Sequence, residues 1–227
     1  MNFTALSLFS GAGGMDIGIS KAGFEVLWAN DINKDACATY AQNHNNKIAC
    51  GDIREYTQEI SRFQGIDLLF GGPPCQGFSV AGKMDPNDVR SQLVFKFMDI
   101  VDVIMPRAFI LENVKALANL AKWSLIIRSL FQRAERAGFK STYLVILNAS
   151  DFGVPQKRER MFFIGLRDIE PIWNFESLFN EYKCKGPSVG DIVKQLGKAG
   201  SDLNKRICIA KITTSKKPIL RKSPYAG

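Results

Sequence analysis

Short apolar runs alternate with stretches of helical spacing through the first two-thirds of this 227-residue chain. Ala5-Leu6-Ser7-Leu8-Phe9 reads as a first strand, and the turn Ser10-Gly11-Ala12-Gly13-Gly14 follows it. A short helix is expected from Met15 to Ala22, a second strand at Glu25–Ala29 and a second helix from Lys34 to Gln42. Asp67–Phe70 is a buried strand that runs straight into Gly71-Gly72-Pro73-Pro74-Cys75. Val89–Met105 places apolar residues at helical intervals and stops before Pro106, which cannot continue a helix. Ala108–Leu111 is another buried strand, ending at Glu112, and Trp123–Ala137 is an amphipathic helix closed by Gly138. Tyr143–Leu147 and Met161–Gly165 read as late strands. Alternation of this kind predicts an α/β fold with a doubly wound, mostly parallel sheet.

After Arg167 the pattern fades: Gly, Ser and Lys increase and no long helix is evident. A boundary is expected near 168–185, separating a domain at 1–167 from the start of a smaller region at 168–227. Hydrophobic content of 46% and charged content of 23% are globular values and do not favour disorder. No apolar run approaches the roughly 18 residues of a membrane span, and Met1-Asn2-Phe3-Thr4 lacks the order of a secretion signal. A soluble, cytoplasmic protein is expected.

Five cysteines (37, 50, 75, 184 and 208) form no Cys-x-x-Cys pair, and the single histidine, His44, leaves no set of zinc ligands. One histidine also argues against Ser/His/Asp and Cys/His hydrolases. In Asn43-His44-Asn45-Asn46 that histidine reads as a solvated loop residue. The formal net charge is +8, and residues 168–227 carry 11 Lys and Arg against 6 Asp and Glu. Such a balance favours a polyanionic partner without establishing one.

The unusual residues fall together. Gly11, Gly13, Gly14, Asp31, Asp52, Cys75 and Glu112 all follow the carboxyl end of an expected strand, the edge where open parallel sheets bind ligands. Asp31 stands 20 residues beyond Gly11, a separation suited to a carboxylate accepting from ribose hydroxyls. A tight turn with a capping Asp explains either feature alone; together they read as a site for a nucleoside-bearing cofactor. Gly-x-Gly-Gly in place of Gly-x-Gly-x-x-Gly disfavours a dinucleotide, and with it an NAD-dependent oxidoreductase.

Two glycines and two prolines before Cys75 make a rigid, sharply turning loop that fixes a thiol. Glu112 follows an apolar strand without a break, and apolar surroundings keep a carboxyl protonated, which suits a proton donor. A helix N-terminal Glu is the ordinary alternative, and the partnership with Cys75 lifts Glu112 above it. Along a strand at Gln156-Lys157-Arg158-Glu159-Arg160, both arginines point to one face. They suit a phosphate or a base edge, or equally an exposed charged edge.

With these motifs in this order, residues 3–167 resemble the DNA (cytosine-5)-methyltransferases of bacterial restriction-modification systems. The resemblance implies a Rossmann-like, S-adenosylmethionine-dependent methyltransferase fold followed by the start of a target recognition region. It implies that Cys75 is the nucleophile, Glu112 the acid, and Arg158 and Arg160 their catalytic partners. Phe9, Gly11, Ala12, Gly13 and Gly14 match the family's cofactor loop, Asp31 and Ile32 its ribose acid and adenine contact, and Asp52 and Ile53 the adenine-amino element. Pro74 and Leu93 join the cofactor set, while Gln76, Ser79, Arg90 and Gln156 match DNA contacts. Double-stranded DNA is the implied partner and S-adenosylmethionine the implied cofactor; neither metal nor membrane is expected.

Two departures stand out. Ser7 occupies a place where the family usually has Asp, which weakens a cofactor-side hydrogen bond. The family's two motifs beyond the recognition region are not found before Gly227, which makes a complementing C-terminal polypeptide a candidate partner. A tRNA cytosine-5 methyltransferase shares the same catalytic motifs, and a non-catalytic subunit is a further alternative. Intact Cys75 and Glu112 speak against the latter.

Overall fold

The structure is a computed structural model that describes residues 3–44, 48–74 and 92–195. Seven strands form one sheet: β1 (Phe3–Leu8), β2 (Phe24–Asp31), β3 (Ile48–Cys50), β4 (Leu68–Gly71), β5 (Ala108–Val114), β6 (Ser141–Asn148) and β7 (Glu159–Leu166). Their spatial order is β3-β2-β1-β4-β5-β7-β6. The first five pair in parallel, and β7 runs antiparallel between β5 and β6. The expected doubly wound, mostly parallel sheet is thus present, with the order reversing beside β1 as such folds require.

Connecting helices are α1 (Gly14–Lys21), α2 (Lys34–Asn43), α3 (Thr57–Ile60), α4 (Gln92–Ile104), α5 (Lys115–Asn119) and α6 (Ser124–Arg136). Alternation along each strand sends neighbouring residues to opposite faces. Leu6, Leu8, Leu69, Phe109, Leu111, Met161 and Phe163 pack in the main core with α4 and α6. Ala5, Val26, Leu68 and Phe70 form a smaller core on the other face with Met15 and Ile19 of α1. Phe109 is the hub of the main core, with ring centroids 4.8 Å from Phe139, 5.2 Å from Phe163 and 6.3 Å from Phe97. Gly138, at φ 85, closes α6 as its sequence position predicts.

Two expectations are corrected. β5 does not end at Leu111: antiparallel pairing with β7 continues from Ala108↔Leu166 to Val114↔Arg160, so Glu112 lies within the strand opposite Phe162. His44 is not a solvated loop residue: it caps α2, and its ring stacks on Tyr40 at 4.1 Å between centroids.

The chain divides into two compact units, Met1–Gly186 and Pro187–Gly227. The first carries a 3-10 stretch, Phe175–Tyr182, beyond the sheet. In the second, α7 (Val189–Gln195) begins with a reciprocal cap. Ser188 N donates to Asp191 Oδ2 at 3.0 Å, and Asp191 N donates to Ser188 Oγ at 3.2 Å. Among the described residues no helix is long and apolar enough to cross a membrane.

Replacing Phe109 with Ala removes a fully buried ring touching three others. The expected loss is about 3–5 kcal/mol, read as a lowered midpoint in guanidinium denaturation.

Candidate active site

The turn after β1 is built from conformations that few side chains adopt. Phe9 lies at φ 55, Gly11 at φ 57 and Gly13 at φ 86. A left-handed phenylalanine costs on the order of 1 kcal/mol or more and persists only where its surroundings enforce it. Here they do. Ser10 N donates to Asn30 O at 2.9 Å, and Ser10 Oγ donates to Ser7 Oγ at 2.8 Å. Gly11 N donates to Asp31 Oδ2 at 2.8 Å, and Asn33 N donates to Asp31 Oδ1 at 2.8 Å. Asp31 therefore clamps the turn to the end of β2, and each oxygen keeps a lone pair for a ligand. Asn33, not Asp31, caps α2, its side chain accepting from Ala36 N at 2.9 Å.

The neighbouring positions differ in availability. Ala12 and Gly14 are exposed, and a Cβ added at Gly11 or Gly14 would meet nothing within 4 Å. Ile32, beside Asp31, is 67% exposed, an apolar side chain left facing solvent. The Ile53 side chain is 2% exposed and packs in the main core, which Leu93 also joins at its margin. Asp52 is engaged by Arg54, whose backbone N lies 3.0 Å from Oδ1 and whose Nε lies 2.9 Å from it. These bonds hold the Asp52 carboxyl below the usual carboxylate range.

Next to β1, strand β4 ends in Gly71 and Gly72. A Cβ at Gly71 would collide with the Leu8 carbonyl, so glycine is what lets β4 run this close to β1. A Cβ at Gly72 would stand 3.0 Å from Glu112 Oε2. Asn113 Nδ2 donates to Pro73 O at 3.1 Å from a buried position. Consecutive residues of β5 thus hold the segment entering Pro73-Pro74: Glu112 lies against it and Asn113 pins it. Cys75, Gln76, Ser79 and Arg90 lie outside the described residues.

On the far side of Glu112, Arg160 Nε is 2.9 Å from Oε1. A cavity of about 520 Å³ collects Phe9, Gly14, Gly72, Glu112, Arg158 and Arg160. Five of these positions come from the turn and strands singled out in the sequence, and Gly72 is the residue just before the Pro-Pro-Cys. Glu159, between the arginines, turns away to Lys115 Nζ at 2.6 Å. Gln156 is exposed on the turn leading into β7. A larger, open groove of about 920 Å³ along α1 and β2 holds none of the expected site residues.

Burial pushes the Glu112 carboxyl above its ordinary value of 4.5, against the opposing charges of Arg160 and Arg158. Desolvation is the larger influence, set against the Arg160 guanidinium at 2.9 Å.

Sequence reasoning gave no role of their own to Asn113, Met15, Leu147, Phe152 and Phe162, although the last four line the same cavity. Asn113 had a readable signal, since a polar residue continuing an apolar strand needs a partner. Phe152 had none: it reaches the cavity through the turn at Gly153, φ 82, and through Asn148 Oδ1, which accepts from Arg158 N at 3.0 Å.

Because folding raises the Glu112 pKa, the folded chain binds that proton more tightly than the unfolded chain. The resulting stability is present at low pH and is lost as pH rises above about 4.5. Glu112→Gln removes the titration, so its stability relative to the unaltered chain should grow with pH in denaturation curves from pH 4 to 8. A difference that shrinks with pH would show instead that Arg160 holds the carboxylate charged.

The sequence profile of the C-5 cytosine-specific DNA methylase family matches residues 3–224. The chain is 39% identical over 206 residues to the Type II methyltransferase M.FnuDI of Fusobacterium nucleatum, covering 88% of this chain and 58% of that protein. It is 42% identical over 176 residues to the Type II methyltransferase M.AquIA of a Picosynechococcus strain, covering 71% of each. Among solved structures, an E. coli prophage protein described as a DNA modification methyltransferase superposes with a TM-score of 0.62 at 32% identity, over 73% of this chain and 47% of that one. The S. pombe Dnmt2 methyltransferase shares the fold, with a TM-score of 0.67 at 21% identity over 83% of this chain and 57% of that one. The chain spans about half the length of several of these relatives. It belongs to the C-5 cytosine-specific DNA methylase family.

Proposed function

We propose that this chain methylates C5 of cytosine in duplex DNA, with S-adenosylmethionine as donor, as the modification enzyme of a restriction system. One observation carries the reading: Glu112, Gly72 just before Pro73-Pro74-Cys75, and the β1 turn share one cavity at the carboxyl edge of the sheet. The Type II methyltransferases among its relatives support the substrate class.

The residues present suit the donor. Asp31 has carboxylate lone pairs for ribose hydroxyls, Gly11 and Gly14 leave open space beside the backbone, and Ile32 offers an exposed apolar surface for a purine. Bound there, S-adenosylmethionine supplies an electrophilic methyl group on a sulfonium.

The chain's own residues supply the rest. A cytosine ring is too poor a carbon nucleophile to be methylated directly. Cys75 adds as thiolate to C6, and the ring electrons move so that C5 becomes an enamine carbon able to take a methyl. Glu112, protonated, donates to N3 as charge develops on the ring. Arg160, bonded to Glu112, orients that carboxyl, and Arg158 and Arg160 hold the O2 edge of the base. Loss of the C5 proton and departure of the Cys75 thiolate restore the aromatic ring. C5 and C6 are stacked inside a duplex, so the cytosine must be extruded to reach the cavity. Residues 168–227, net basic, begin the region that reads sequence in the major groove.

The test is covalent trapping. Duplex DNA carrying 5-fluorocytosine should give a denaturation-resistant adduct in the presence of the donor, because fluorine blocks the final elimination. Cys75→Ala should abolish the adduct, and Glu112→Gln should slow its formation on the order of a hundredfold or more. Trapping of substituted tRNA in place of DNA would redirect the assignment to RNA. No adduct from the unaltered chain, alone or with the C-terminal half of a relative, would overturn it.

A further inference from the structure

Between β1 and the helices α1 and α2 the chain buries a carboxyl group that the chemistry above does not use. Asp16, in the first turn of α1, is 0% exposed, as are Ser7 on β1 and Tyr40 on α2. Tyr40 donates its hydroxyl proton to Asp16 Oδ1 at 2.9 Å. Asp16 Oδ2 is buried with no hydrogen-bond partner. The His44 ring lies stacked on Tyr40, and its Nε2 is buried and unpartnered as well. That nitrogen sits against Gly13, where any Cβ would collide with the imidazole.

These groups touch the glycine turn from both ends. His44 backs Gly13, the residue from which α1 starts. Ser7, whose hydroxyl accepts from Ser10 Oγ at 2.8 Å, lies close enough to Asp16 to favour its charged form. A buried carboxyl with one oxygen left unpartnered is costly, and apolar side chains of the same shape would avoid that cost. A buried polar cluster instead restricts its elements to the arrangement that satisfies it.

We propose that Asp16, Tyr40 and His44 are positioning residues, a polar brace that sets the Ser10–Gly14 turn at the place its ligand requires. The proposal rests on the reading that this turn holds S-adenosylmethionine. Asp16 belongs to the same helix that Gly13 begins, so a brace that slackens shifts the turn's backbone against Asp31. Binding then weakens although no residue touching the ligand has changed.

Calorimetric titration of the full chain with S-adenosylmethionine separates affinity from the binding-competent fraction. Tyr40→Phe removes one hydroxyl, Asp16→Asn removes the carboxylate at constant shape, and His44→Gln removes the ring behind Gly13. Each should raise the Kd about tenfold, the first two on the scale of one lost buried hydrogen bond and the third by loosening the packing behind Gly13. A purely structural role would lower Tm and the competent fraction while leaving the Kd of the folded chain alone. Should one variant fail to fold, the other two give the same reading. Kd values within about twofold of the unaltered chain in the variants that fold would overturn the brace. Failure of the unaltered chain to bind the donor would overturn the cofactor reading, and the brace with it.

Discussion

The carboxyl of Glu112 lies so close to residue 72 that a side chain there would crowd it, and the loop path, the paired arginine and the cavity wall meet at that contact. One oxygen lies against the chain leading into Pro73-Pro74; the other meets Arg160 at 2.9 Å. The neighbouring Asn113 holds the Pro73 carbonyl from the next position on the strand. A strand alternates its side chains, yet here two successive residues serve one loop, because β5 meets that loop at the edge of the sheet. Charge, loop path and cavity wall are thereby referred to a single short stretch of backbone.

Electrostatics at this edge depends on burial more than on pairing. Glu112 is raised by desolvation although two guanidinium groups oppose it, whereas Asp52, bonded to Arg54 near solvent, is lowered. Both carboxylates sit beside arginines. What separates them is access to water, which screens and solvates the charged form at one position and not at the other.

Much of the fold was legible because its signals are local. Apolar runs at Asp67–Phe70 and Ala108–Leu111 located β4 and β5, and Gly138 located the end of α6. The glycines, Asp31, Glu112 and the arginine pair were legible because such residues gather at one sheet edge for a reason independent of packing. What escaped was non-local. The extension of β5 to Val114 depends on a partner strand some fifty residues later, and the place of the His44 ring depends on Gly13, some thirty residues earlier, coming against it. Phe152 enters the cavity only through a glycine turn and an Asn148 contact that no periodicity announces. The part Asp31 plays as a clamp accepting from two backbone N–H groups was not read, nor was the capping of α2 by Asn33.

The antiparallel insertion of β7 has a consequence for how the acid and its arginine stay matched. Leu111↔Phe163 and Glu112↔Phe162 are adjacent rungs of one ladder, and Phe163 is wedged among Phe109 and Phe131. A slip of one rung would swing every β7 side chain to the opposite face, carrying Arg160 off the carboxyl. The oily side of the sheet therefore acts as the ratchet tooth for its ionic side: interlocked rings behind the strand decide which cation stands in front of it.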